Sequence, residues 1–252
     1  VAPETQSALA SKIEYISPAI KRSLERKMSG EPVLAYDWMV VAANPYATDA
    51  GAQVLRNGGT AADAMVAVQA VLGLVEPQSS GIGGGAFLVW YDAASGEVTT
   101  LDGRETAPMA ATQRLFQTRE GIPLKFWDAV VGGRSVGVPG TPALMETAHK
   151  KWGRNAWSNL FERAIALAED GFFVSPRLAD LVANDARRLS RFPAAEAYFF
   201  PNGKPIVEGD RLNNKSYAAV MRRMAHESSG VIYSGRIANA IVDKVQSANG
   251  NP

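Results

Sequence analysis

Cysteine is absent, and histidine occurs only twice, at His149 and His226. The first absence excludes disulfides, thiolate metal sites and a cysteine nucleophile. The second leaves any histidine-dependent triad or His-rich metal site only those two side chains to draw on. A charge excess of either sign is also lacking: 26 Lys plus Arg stand against 25 Asp plus Glu, a formal net charge of +1. That balance gives no broad electrostatic footprint for nucleic acid or an anionic membrane surface. No run approaches the roughly 20 consecutive apolar residues that cross a bilayer. The most apolar stretch, Ala61 to Val75, is shorter and carries Asp63 and Gln69. Neither a membrane span nor a nucleic-acid partner is expected. The opening Val1-Ala2-Pro3 lacks the charged-then-apolar pattern of a leader and reads as a mature N-terminus left by signal cleavage or as a cut end.

What is present is a chain of 252 residues, 46% apolar and 20% charged, the balance of a globular protein. It is long enough to bury a sizeable core. No repeat, low-complexity tract or linker divides it, so a single domain mixing helices and strands is the simplest expectation, preceded by an arm over residues 1–35. The basic cluster Lys21 to Lys27 in that arm reads as a solvated helix face. Met39 to Ala43 is a short β-type run. Tyr46 to Asn57 is helical in pattern, stopped by Gly58-Gly59. Thr60 caps the next helix, Ala61 to about Leu74, with Asp63 in the capping-box position. That helix is apolar on nearly all sides, so it is expected between layers. After the loop Glu76 to Gly85, Ala86–Asp92 and Glu97–Asp102 read as a hairpin, the first strand lying in the core. Further helices are expected over Thr141–Gly153, Ser158–Asp170, Ser175–Leu189, Asn214–Glu227 and Gly235–Ser247. Phe192-Pro193 and Pro201-Asn202-Gly203 read as loop, and Asn249 to Pro252 as a turn. The glycosylation triplet Asn214-Lys215-Ser216 is too common by chance to locate the protein.

Several features invite a chemical reading. Gly83-Gly84-Gly85 follows a helix and precedes a strand, the reverse of a dinucleotide loop, and no Gly-Lys-Ser/Thr is present. Tight backbone packing is the better reading of these glycines. His149 and His226 have no partner at metal-ligand spacing. Glu169-Asp170 sits at a helix end and needs no catalytic role. No Gly-x-Ser-x-Gly elbow is found. Arg104 stands apart, because it leaves the hairpin directly after Asp102-Gly103. A guanidinium at a strand end is held rigidly and offers a planar fork to a carboxylate. Against this stands an ordinary surface arginine, or one paired with Asp102 or Glu105.

The run AANPYATDAGAQVLRNGGTAADAMVAVQAVLGLVEPQSSGIGGGAFLVWYD, followed by LDGRETAP, closely resembles the large-subunit sequence of the γ-glutamyltranspeptidase family. VGVPGTP at Val136–Pro142, AIALAEDGF at Ala164–Phe172 and VIYSGRIANAIV from Val231 extend the likeness, which covers about Tyr36 to Gly250. The resemblance implies an α+β fold, the four-layer αββα sandwich of the N-terminal nucleophile hydrolases. Residues 36–252 would form the large-subunit part of that domain, completed by a small subunit cut from the same precursor. It implies a threonine nucleophile at the new N-terminus of the small subunit, whose own amino group serves as base. It implies γ-glutamyl transfer from glutathione or a γ-glutamyl amide to water or an amine, without metal or cofactor. Arg104 takes the place of the family arginine that binds the α-carboxylate of the γ-glutamyl group. The Gln78–Gly85 loop is expected near the subunit junction, with no catalytic atom.

The small-subunit sequence, including a processing-site nucleophile and a Pro-Pro-Ser-Ser-Gly-Gly stretch, is not found. No catalytic residue is therefore expected in this chain, and a companion chain is expected to supply nucleophile and oxyanion donors. A glutaryl- or cephalosporin-type acylase of the same architecture is the alternative, and a non-catalytic relative is a third reading. The family setting points to a periplasmic or secreted bacterial protein.

Overall fold

The computed structural model describes residues 16–248. Residues 1–15 of the expected arm, and the turn expected over Asn249 to Pro252, lie outside the described residues. In chain order the helices and strands are α1 (Pro18–Met28), α2 (Pro45–Arg56), α3 (Ala61–Val75), β1 (Ala86–Tyr91), β2 (Val98–Gly103), α4 (Phe126–Val130), α5 (Thr141–Trp152), α6 (Glu162–Asp170), β3 (Phe172–Phe173), α7 (Pro176–Asn184), α8 (Ala186–Leu189), α9 (Pro193–Phe199), β4 (Arg211–Leu212), α10 (Lys215–Glu227) and α11 (Gly235–Ser247). The chain divides into two compact units, one formed by the residues up to Gly81 with Trp152–Ala225, the other by Ile82–Lys151 with the residues from His226 onward.

The first unit is built around the α2–α3 helical hairpin. Asn44 caps α2 by accepting from the Tyr46 N–H at 3.0 Å, and Pro45 fills the first helical position, where its missing N–H costs nothing. Gly58, at φ 82°, turns the chain out of the helix. Thr60 and Asp63 form the expected capping box: the Asp63 N–H donates to Thr60 Oγ1 at 3.2 Å, and the Thr60 N–H donates to Asp63 Oδ2 at 2.8 Å. Asp63 also accepts from the Arg154 and Asn155 N–H groups. Helix α3 buries Ala62, Val66, Ala67, Ala70, Val71, Leu74 and Val75, as its all-round apolarity requires. The hairpin packs tightly at Gly51, where a Cβ would fall 2.7 Å from Val68 Cγ2. Helix α6 packs on α3 and buries Ala164, Leu167 and Ala168. The short β3–β4 ladder pairs Phe172 with Leu212.

Three details differ from expectation in this unit. Met39 to Ala43 forms no strand, because no partner ladder lies beside it among the described residues; Met39 and Val41 are exposed. The helix expected from Ser175 to Leu189 breaks at Asp185 into α7 and α8. Phe192-Pro193, read as loop, begins α9, because proline suits the first turn of a helix as well as it suits a loop.

The second unit carries the β1–β2 hairpin, antiparallel from Ala86 opposite Gly103 to Tyr91 opposite Val98. Alternation sends Leu88, Trp90 and Leu101 to the half-buried face and Phe87, Val89, Tyr91 and Val98 to the other. That second face is bare, with Val89 73% and Phe87 66% exposed. Residues expected in a core strand therefore meet solvent on one side. Helix α5 buries Leu144, Met145 and Ala148, and α11 spans the residues expected of it.

Candidate functional site

Arg104 stands at the first position beyond β2, and the backbone around it is fixed on every side. Its own N–H donates to Asp102 Oδ1 at 2.9 Å, closing a local Asx turn. The Val138 N–H donates to the Thr106 carbonyl at 2.9 Å and the Thr106 N–H returns to the Val138 carbonyl at 3.3 Å, a bridge between the GRETAP segment and the VGVPG turn. Glycines let these backbones touch. A Cβ on Gly140 would fall 2.0 Å from the Gly103 carbonyl oxygen and 2.9 Å from that of Arg104. One on Gly85 would fall 2.7 Å from the Arg104 Cα. One on Gly103 would strike the Leu144 side chain at 2.7 Å. Of the triple glycine, Gly85 serves tight backbone packing, as the sequence context indicated, while a Cβ on Gly83 would meet nothing within 4 Å.

Two polar knots lock this arrangement. The Gly84 carbonyl accepts from the Gly140 N–H at 2.9 Å, from the Thr141 N–H at 3.1 Å and from Thr141 Oγ1 at 3.1 Å. The Tyr233 phenol donates to the Pro139 carbonyl at 2.8 Å and accepts from the Ala143 N–H at 3.1 Å. Burial, with the nearby Glu146 charge, pushes this phenol above its ordinary pKa against the opposing Ala143 hydrogen bond, so it stays a neutral donor at physiological pH.

The Arg104 side chain itself is exposed and lines a cavity of about 240 Å³ with Leu101, Asp102, Thr106, Ala143 and Thr147. Among the described residues no ion pair joins it to Asp102 or Glu105, so the paired-surface-arginine reading is not realised. A fixed backbone carrying an uncommitted guanidinium beside a cavity suits recognition of a carboxylate by paired N–H···O bonds. His149 is half-buried on α5 and His226 is exposed at the end of α10. No group of three or more metal-ligating side chains occurs among the described residues. No described helix is long and apolar enough to cross a membrane.

The γ-glutamyltranspeptidase family model matches residues 47–251. The chain belongs to the γ-glutamyltranspeptidase family. Among its relatives, the glutathione hydrolase proenzyme of Bacillus subtilis is 40% identical over 215 residues, covering 85% of this chain and 36% of that protein. The acylase ACY 1 proenzyme of a Pseudomonas strain is 36% identical over 217 residues, covering 84% of this chain and 38% of its own length. The crystal structure of Helicobacter pylori γ-glutamyltranspeptidase superposes with a TM-score of 0.80 at 31% identity, covering 86% of this chain and 66% of that one. The fold is thus the α+β architecture of this family and its N-terminal nucleophile hydrolase relatives, as expected from the sequence. The chain spans just over a third of the length of these curated relatives.

Sequence reasoning singled out Arg104 as the candidate but did not single out Thr141 and Tyr233, which bond the backbone around it. Tyr233 lies inside a quoted family segment, and the only local signal was an aromatic hydroxyl beside a helix start. It also missed a buried polar cluster in the first unit. There Glu76 accepts from Asn44 Nδ2 at 2.8 Å, Gln78 Nε2 at 2.5 Å, Arg177 Nη1 at 2.9 Å and Ser175 Oγ at 3.4 Å. A Glu-Pro-Gln-Ser-Ser run directly after an all-apolar helix was the available hint.

Proposed function

We propose that this chain is the large-subunit part of a γ-glutamyltransferase or glutathione hydrolase. It holds the γ-glutamyl donor by its α-carboxylate through Arg104, while a threonine at the N-terminus of a small subunit from the same precursor takes the acyl group. Water or an amine then releases it. The observation carrying this reading is the uncommitted Arg104 guanidinium, set at the hairpin exit by a clamped backbone within the family's GRETAP segment. The companion chain is supported by the bare apolar face of the hairpin, a kind of surface that marks an interaction site. A periplasmic or secreted setting completes the proposal.

The test is Arg104→Ala in the complete processed enzyme. Loss of a desolvated charge pair is expected to weaken γ-glutamyl donor use by about 2–5 kcal/mol. Unchanged kinetics with a γ-glutamyl anilide would remove Arg104 from the site. The acylase relative motivates a second measurement. Turnover of a glutaryl amide in preference to the γ-glutamyl anilide would move the chain to the acylase branch, since only the γ-glutamyl donor carries an α-amino group.

A further inference from the structure

Among the described residues no hydrogen bond or ion pair fastens the Arg104 side chain; its place is inherited from the backbone on either side. On one side is Gly103, whose carbonyl lies against the Gly140 Cα. On the other is Thr106, bridged to Val138. Both contacts belong to one short turn, Val136–Gly140. Its backbone bonds run to the GRETAP segment, Gly84, Gly133 and Leu144, and among the described residues a side chain, that of Tyr233, also hydrogen-bonds it, through the Pro139 carbonyl. The same phenol oxygen accepts from Ala143, in the first turn of α5, where backbone N–H groups have no partner within the helix. One oxygen thus bridges the turn and the first turn of α5, alongside the Gly84 carbonyl and the Leu144 N–H bond to the Gly140 carbonyl at 3.0 Å, and both of these segments line the Arg104 cavity through Val138, Pro139, Gly140, Ala143 and Leu144. Tyr233 itself is not among the residues lining that cavity, and it reaches the arginine only through the turn.

We propose that Tyr233 is a positioning residue for Arg104: its hydroxyl fixes the Val136–Gly140 turn and thereby how well the guanidinium meets the α-carboxylate of the donor. The inference rests on the carboxylate reading of Arg104 given above. Its chemistry is directional. A fork-to-carboxylate contact depends on alignment, so a small displacement of the supporting turn weakens that contact without touching the group that attacks the acyl carbon.

The test compares two donors in the complete processed enzyme: γ-glutamyl-p-nitroanilide, and 4-aminobutyryl-p-nitroanilide, which is the same acyl chain without its α-carboxylate. The ratio of their kcat/KM values measures carboxylate recognition and does not depend on the amount of folded enzyme. Tyr233→Phe removes one oxygen and keeps the ring. Both hydrogen bonds of that oxygen go, and the loss of the one that holds the turn is expected to lower this ratio about threefold to tenfold, through KM for the γ-glutamyl donor with kcat retained. Arg104→Met in parallel is expected to collapse the ratio. A collapse with Arg104→Met beside an unchanged ratio with Tyr233→Phe, or an equal loss on both donors with Tyr233→Phe, overturns the positioning role alone. An unchanged ratio with Arg104→Met overturns the carboxylate reading beneath it.

Discussion

Asn44 and Glu76, 32 residues apart in sequence, meet inside the first unit with Asn44 Nδ2 donating to Glu76 Oε1 at 2.8 Å. The other end of the same amide, Oδ1, caps α2, while Glu76 is the residue that ends α3. One side chain therefore ties the start of one helix to the finish of the next. Glu76→Ala strips a buried acceptor from Asn44, Gln78, Ser175 and Arg177 at once. A loss of about 1–3 kcal/mol is expected, because the buried Asn44 and Ser175 donors lose their acceptor, while the exposed Gln78 and Arg177 turn to water. The denaturation midpoint of the variant measures it, and a change under half a kcal/mol, within the scatter of ordinary surface substitutions, would show that the cluster contributes little.

Gly140 offers a sharper backbone test. A methyl group there would collide with the carbonyl oxygens of Gly103 and Arg104, atoms that no rotamer change can move aside. Gly140→Ala is expected to cost about 1–3 kcal/mol of stability, the range for forced overpacking, and to raise KM for γ-glutamyl donors. Gly83→Ala is the control, since a Cβ there meets nothing within 4 Å. Equal behaviour of the two variants would contradict the close packing of the turn on the hairpin exit.

Glu146 predicts a pH dependence. Burial pushes its pKa up, but Lys150 Nζ at 2.5 Å, the Ser229 hydroxyl and the Ser229 N–H at 3.0 Å outweigh this and hold it below the ordinary 4.5. A carboxyl group with a lowered folded-state pKa stabilises the fold fully above its unfolded value. That contribution fades as the pH falls through the lowered one. The stability gap between the wild-type protein and Glu146→Gln should therefore be widest above about pH 5 and narrow steadily toward pH 3. Thermal melts across that range measure it, and a constant gap would mean that the carboxylate is not selectively bound.

The legible parts of the fold were those governed by local chemistry. The Thr60–Asp63 box announced itself through cap residues close in sequence, after the Gly58-Gly59 stop. The β1–β2 hairpin was visible from its strand formers and its Ala94-Ser95-Gly96 turn. What escaped notice depends on distance along the chain. Met39 to Ala43 has strand-forming residues, but a strand also needs a neighbour, and composition does not say whether one is at hand. Pro193 fits a loop and a helix start equally well until the residues after it are placed. Arg104 was readable because its own motif surrounds it. Tyr233, more than 120 residues later, has meaning only once the turn it holds has been seen.

The unclothed side of the hairpin bears on how such a protein comes into being. A ribbon presenting Phe87, Val89, Tyr91 and Val98 outward invites clumping with any similar ribbon it encounters. A cover encoded on the same polypeptide would reach it at an effective concentration on the order of millimolar, far ahead of strangers in a crowded cell. With both halves made as one strand, as the proposed function has it, and cut only after they have met, a hazard of biosynthesis would become a matter of timing.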